Sequence, residues 1–384
     1  MLVIHHSNPV NLVQAKPAST KMDLKFIETF FNFGKYFALT PSSLSDRKPS
    51  KFQTLCTLFV VFLYLVAYAA VMYHSWTVFK KLTIAQFVLA ILSSLAFFTH
   101  DLYIFLGLKM YKRKQLFQLL DNLQATSRIG SGTKLYHLIF LMSQLVLILV
   151  GNFGNYLYLT FLGVDNFILN MFNFTQIYLQ SAFVLLRCIV LDMVLSRYQR
   201  QSRLLLVLTL RKKPPTDLSQ VVKAIANNIN VLKCSVDIFN EIFGVPILLH
   251  MFCGVSNTLV SLDVFIKSDG TFNAGSTMLN FLNLVYQMTL SVIFWIGIVL
   301  NIVMCDAVLT ESEKILMKVY KLKSMAADSM SWKCDEVDFL VQMILHRPSQ
   351  FKAARFFAVD RSTLFSMLYS VTSFLLVMVQ FKSN

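Results

Sequence analysis

Residues Gln53–Tyr73 read QTLCTLFVVFLYLVAYAAVMY, a run of 21 residues without a single charge. A helix rises ~1.5 Å per residue, so this run alone spans the ~30 Å hydrocarbon core of a bilayer. It does not alternate apolar and polar residues as a half-buried strand or a barrel strand would. Working outward, six more stretches meet the same test: Leu82–Leu108, Leu135–Leu162, Phe167–Leu195, Ile242–Ile266, Thr277–Met304 and Ser362–Phe381. Composition agrees. The 384 residues are 56% hydrophobic and 14% charged, against roughly 25% charged in soluble domains. A soluble enzyme, a disordered regulator and a disulfide-rich secreted module are excluded. The fold class expected is an all-α membrane protein of seven transmembrane helices.

The positive charges set an expected orientation, because Lys and Arg are retained in cytoplasmic loops. Thirty of the 35 Lys and Arg fall before the first span or after the second, fourth and sixth spans. Among them are Lys109, Lys112, Arg113 and Lys114, and the run Arg211–Lys213. This predicts a cytoplasmic N-terminus and an extracellular C-terminus, the reverse of G-protein-coupled receptors. The marks of those receptors are also missing: the third span opens Leu135-Tyr136-His137 with no Asp-Arg-Tyr, and no Asn-Pro-x-x-Tyr closes the seventh. The chain divides accordingly into a cytoplasmic segment 1–52, helices one to six over 53–304, a cytoplasmic loop and anchor over 305–361, and a last helix with a short tail over 362–384. Within 1–52, Lys25–Phe37 has the spacing of a short amphipathic helix on the inner leaflet. No internal repeat marks a duplicated transporter. No CxxC or HExxH spacing points to a metal. No cofactor, enzymatic activity or nucleic-acid partner is expected.

The C-terminal stretch carries the most specific pattern. Phe356-Phe357, Asp360 and Ser362 precede the last span, which closes with Ser373-Phe374, five hydrophobic residues and Gln380-Phe381. This resembles the terminal signature of insect gustatory receptors, Thr-Tyr, five hydrophobic residues, then Gln-Phe, with Ser373 and Phe374 standing for the Thr and Tyr. Seven spans and inverted orientation extend the resemblance over the chain. Sugar-sensing members follow the Tyr with Glu, where this chain has Leu375, so a non-sugar, bitter-type tastant is the expected ligand class. The resemblance implies a tetrameric, ligand-gated, non-selective cation channel in the plasma membrane of chemosensory neurons. It would be a homotetramer or a heterotetramer with other gustatory receptors, surrounded by lipid and passing monovalent and divalent cations. An odorant receptor of the same superfamily and a metabotropic seven-helix receptor are the competing readings.

The last helix can also be read physically. Phe374, Val377, Gln380 and Phe381 fall at i, i+3, i+6 and i+7, on one helical stripe. Facing a four-fold axis, Val377 would form an apolar ring able to close a pore by dewetting, and Gln380 a ring of neutral amides standing in for a cation's water. Alternatively, Gln380 sits at the outer interface in contact with water and headgroups.

Polar side chains inside spans are costly and face protein or cavity water. Sorted by depth, the outer halves carry Asn152, Asn155 and Tyr156 in span three, and Asn173, Gln176 and Gln180 in span four. They carry Asn257 with Thr258 and Ser261 in span five, and Asn280, Asn283, Tyr286 and Gln287 in span six. This predicts a pocket of amides and aromatics for an uncharged or weakly charged small molecule. The competing reading is that these amides bond one another as interhelical glue. His100 and Asp101 are adjacent near the inner end of span two and read as a structural pair, an interfacial position or a gating contact. Arg187 and Asp192 are expected to snorkel or join the cytoplasmic bundle. Spans four to six are expected to continue as helices beyond the membrane, with Asp335–Ala354 largely helical.

Overall fold

The computed structural model describes residues 28, 31, 32, 34, 50–80, 83–126, 133–210, 218–268, 277–328, 334–346 and 348–382. The expected amphipathic segment Lys25–Phe37 lies mostly outside them, although Phe31 is buried in the main core. The described elements are α1 (Lys51–Phe79), α2 (Ile84–Leu106), α3 (Arg113–Ala125), α4 (Thr133–Leu157), α5 (Val164–Leu210), α6 (Leu218–Ser268), α7 (Thr277–Asp328) and α8 (Cys334–His346). A two-stranded hairpin follows, β1 (Lys352–Ala353) with β2 (Phe357–Ala358), and then α9 (Arg361–Lys382). Short π-helical turns, Gly107–Tyr111 and Tyr158–Leu162, close α2 and α4.

Six of these helices are long and apolar enough to cross a membrane, and α9, at 22 residues, is apolar over Arg361–Val377. At 47, 51 and 52 residues, α5, α6 and α7 reach about 70–78 Å, more than twice the hydrocarbon thickness. The expected continuation of spans four to six beyond the membrane is therefore seen. These three helices form the spine: α5 and α7 pack along their lengths, α2 and α3 lie on α6, and α8 wedges against α6 and α7. The core reflects this, with Val190, Val194, Tyr198 and Leu205 of α5 buried with Ile229, Val236 and Phe243 of α6 and Ile302, Val308 and Val319 of α7. In contrast, α1 is apolar on every side. Phe52, Phe59 and Phe62 are 74%, 60% and 59% exposed, an arrangement that water would oppose and acyl chains favour.

Helix α6 carries Pro246 in its interior. A proline has no N–H, so the carbonyl of Ile242 loses its partner one turn back. The hydroxyl of Tyr103 on α2 donates to that carbonyl at 2.8 Å, so a break in one helix is closed by the helix packed on it. Tyr103→Phe should leave the carbonyl orphaned and cost about 1–3 kcal/mol, read as a lower melting temperature of the detergent-solubilised protein.

The expectation that Asp335–Ala354 is largely helical holds as far as His346 and is corrected beyond it. Helix α8 ends at His346, because Pro348 cannot continue a helix. The hairpin then pairs Lys352 with Ala358 and Ala353 with Phe357, and turns through Ala354 and Arg355 at φ 49° and 67°. It seats directly on α6. A Cβ on Gly244 would lie 2.9 Å from both the backbone N of Ala354 and the carbonyl of Lys352, so only glycine admits this approach. Asn240 fixes the register, donating to the Gln350 carbonyl at 2.7 Å and accepting from the Lys352 amide at 3.0 Å. Nearby, Lys233 donates to the carbonyls of Met343 and Ile344 at 3.1 and 2.9 Å, satisfying the last turn of α8 with a cation.

Candidate functional site

Five helices, α1, α2, α5, α6 and α7, line a partly open cavity of about 280 Å³ in the half of the bundle away from the hairpin. Each contributes residues at helical spacing: Tyr68, Met72, Ser75 and Phe79 from α1, Ala90, Ser93, Ser94 and Phe97 from α2. From α5 come Asn170, Phe172, Asn173, Gln176 and Ile177, from α6 Asn257 and Val260, and from α7 Gln287 and Leu290. Among the described lining residues there is no Asp, Glu, Lys, Arg or His. Neutral amides and hydroxyls sit between aromatic faces, a chemistry suited to an uncharged ligand with several hydrogen-bonding groups.

The floor of the cavity is wired to the core. The amide of Gln176 donates to the Tyr64 hydroxyl at 2.8 Å, and that hydroxyl donates to Asp101 at 2.9 Å. Gln180, one turn below Gln176, donates to the other Asp101 oxygen at 3.0 Å. Tyr64 is held between the rings of Phe98 and Phe172, stacked at 5.9 and 5.6 Å. A buried carboxylate needs such donors, because solvent is excluded from it. His100 turns the other way, its ring 5.8 Å from that of His250 on α6. His100 and Asp101 are both fully buried, and Gln180, which bonds Asp101, also meets His100.

A second amide layer lies beside the cavity. Asn170 donates to Asn155 at 3.0 Å, Gln287 to the Tyr158 hydroxyl at 3.1 Å, and that hydroxyl to Asn283 at 3.0 Å. Asn257 donates to Ser291 at 3.0 Å. The ring of Tyr286 occupies the space left by Gly154, where a Cβ would lie 2.2 Å from it. Of the residues expected from sequence, Gln176, Asn257 and Gln287 line the cavity, with Asn173 beside them. Gln180 is fully buried beneath it, and Asn155, Asn283 and Tyr286 belong to the adjoining polar layer. Asn152 and Tyr156 do not join it; both are exposed on α4. That helix is apolar around most of its surface, and its polar residues gave no indication of which side meets α5. Asn280 lies in α7, and its side chain is outside the described residues. Sequence reasoning missed Tyr68, Ser75, Ser93 and Ser94. Small hydroxyls bond within their own helices and leave little mark on hydropathy.

At the opposite end, α9 is anchored by charge and capping. Arg361 pairs with Asp306 of α7 at 2.6 Å. Asp360 accepts from the Thr363 amide at 3.1 Å and from the Ser362 hydroxyl at 2.6 Å, which makes it the N-cap of the helix. Those bonds, the Ser362 hydroxyl foremost, hold its carboxyl below the usual range. The Phe-Phe-x-x-Asp-x-Ser element therefore has a structural meaning: Phe357 opens the second strand of the hairpin, and Asp360 and Ser362 start the last helix. Beyond that anchorage α9 is largely uncovered. Phe374, Leu376 and Val377 are 38%, 59% and 43% exposed and Gln380 is exposed. Phe381 falls in the helix, with its side chain outside the described residues.

The family model of the 7tm chemosensory receptors matches residues 27–384 of the sequence. The chain belongs to that chemosensory receptor family. Sequence comparison with curated proteins gives no match. The receptor is similar in fold to the insect olfactory receptor OR5 from Machilis hrabei, with a TM-score of 0.68 and 14% identity over 94% of this chain and 99% of that one. It is similar also to the same olfactory receptor in complex with eugenol, with a TM-score of 0.66 and 13% identity over 94% and 99% of the two chains. This chemosensory receptor thus has the insect chemoreceptor fold from its first membrane helix to its last.

Proposed function

We propose that this receptor is a gustatory receptor, a ligand-gated non-selective cation channel opened by an uncharged, non-sugar tastant. The observation that carries the reading is the pairing of a cavity that is lined by neutral groups among the described residues with a final helix left largely uncovered by its own subunit. The cavity supplies a ligand site, and the uncovered apolar helix supplies a surface that needs neighbours. Four copies around one axis would satisfy it, with Val377 and Gln380 lining the path. The Gln380-Phe381 ending and the Phe356-Phe357, Asp360, Ser362 element favour the gustatory over the odorant branch. In this reading the basic end of the bundle is cytoplasmic, the C-terminus is outside, and the receptor lies in the plasma membrane of a chemosensory neuron. Other gustatory receptors are candidate partners in the tetramer. That the similar olfactory receptor was solved in complex with eugenol supports a small-molecule ligand here.

Whole-cell recording in a heterologous cell, with a tastant panel and G-protein signalling blocked, tests the proposal. Ligand-evoked cation current should persist under the block; a response abolished by it favours the metabotropic reading. Gln287→Ala, in the cavity wall, should shift the dose-response about 10-fold to higher concentration, the worth of about one hydrogen bond to a buried ligand. An unchanged curve at normal surface expression would assign Gln287 to interhelical packing alone.

A further inference from the structure

Below the cavity, α5 carries one more polar residue on the same stripe. Asn173, Gln176, Gln180 and Arg187 follow each other at helical spacing, and Arg187 lies eleven residues past Gln176, about 16 Å down the helix axis. Arg187 is 0% exposed, and none of its three guanidinium nitrogens meets a hydrogen-bond partner among the described residues. Its guanidinium lies over the ring of Phe183, 5.7 Å away, with the thiols of Cys188 and Cys305 nearby. The acids nearby are engaged elsewhere: Asp101 with Tyr64 and Gln180, and Asp306 with Arg361.

The neighbours of Arg187 offer donors. His100 and His250 are 0% and 3% exposed and both lie within electrostatic reach of Arg187; His100 meets the Gln180 side chain and His250 the Phe294 backbone, and neither ring makes a hydrogen bond of good geometry among the described residues. The contact between α5 and α7 extends the cluster. Gly297 packs against Val184 and against Nε2 of His250, and the next turn of each helix brings Arg187 and Asn301 to the same level. Asn301 is 2% exposed and donates to the Gly297 carbonyl at 2.7 Å. A guanidinium buried in low dielectric with no counter-charge costs several kcal/mol. Among the described residues no group repays that cost.

We propose that Arg187, with His100 and His250, forms an internal binding site for a single small monovalent anion of halide size, distinct from the cavity above it. Each neutral imidazole brings one N–H and the guanidinium brings five, so the cluster is rich in donors around a fixed positive charge. This site is independent of the channel reading: it follows from the charge balance of one subunit.

The test uses the full-length protein, purified in detergent, melted in sodium chloride and in sodium gluconate at equal ionic strength. A ligand that binds only the folded state raises its melting temperature. Chloride should raise that of the wild type by about 2–4 °C over gluconate, and bromide should substitute for chloride. Arg187→Gln should abolish the difference. Arg187→Met, which removes the charge and keeps the apolar stem, covers the case in which the glutamine variant fails to fold. It should melt at one temperature in both salts. Equal melting of the wild type in chloride and gluconate, the result expected if only water fills the site, overturns the proposal. A chloride effect that survives in Arg187→Met overturns it equally.

Discussion

Asp101→Ala should destabilise this receptor by about 3–5 kcal/mol, the typical loss when one partner of a buried charged network is removed. The substitution strands two donors at once, the Tyr64 hydroxyl and the Gln180 amide, both buried and both aimed at the missing carboxylate. It also unseats the floor of the cavity, because Gln176 reaches Tyr64 through the same hydroxyl. Asp101→Asn keeps two polar atoms in place and should cost less. Tyr64→Phe removes one hydroxyl that both donates and accepts, and should fall between them at about 1–3 kcal/mol. The check is the melting temperature and surface yield of the three variants. Alanine at 101 melting with the wild type would mean that this network does not hold α1, α2 and α5 together.

The second large effect is expected at Val377. In the proposed tetramer four valines close the path by excluding water, so Val377→Ser should wet the constriction. A standing current about 10-fold or more above the wild-type leak should then flow without ligand. The companion change Gln380→Glu places four carboxylates where four neutral amides stood, and should raise divalent permeability and shift the reversal potential. Two-electrode recordings in solutions of different calcium content read both. A silent membrane with Val377→Ser at normal surface expression would remove Val377 from the gate.

Much of the architecture could be read from the sequence, because spanning a bilayer imposes a length and a polarity that few other structures share. Gln53–Tyr73 and Thr277–Met304 announce themselves by the absence of charge and the rest by long apolar runs with few charges, and α5 to α7 run on past the membrane where their apolar spacing persists. The hairpin was not legible. Its strands are two residues long, and its turn places Ala354 and Arg355, rather than a glycine, at positive φ; nothing local advertises such a turn. The seat for it, Gly244, reads as an ordinary glycine until a neighbouring backbone is found against it.

The cavity was half legible. Gln176, Asn257 and Gln287 stood out as amides in apolar runs, and depth sorting placed them together. What depth cannot supply is rotation. Asn152 and Tyr156 lie at the right level on α4 and turn outward, while Gln180 at its own level turns into the Asp101 network. His100 and Asp101 show the same limit from the other side. Adjacent residues on a helix point about 100° apart, so Asp101 faces Tyr64 while His100 faces His250, and only the packing of α1, α5 and α6 around them showed this.

The most direct test of the four-fold channel places a cysteine at Val377 and applies a charged, membrane-impermeant thiol reagent from outside during ligand-evoked current. The current should be blocked irreversibly, and the block should be absent in the wild type under the same treatment. If the reagent modifies the introduced cysteine and the evoked current is unchanged, α9 does not line the conducting path.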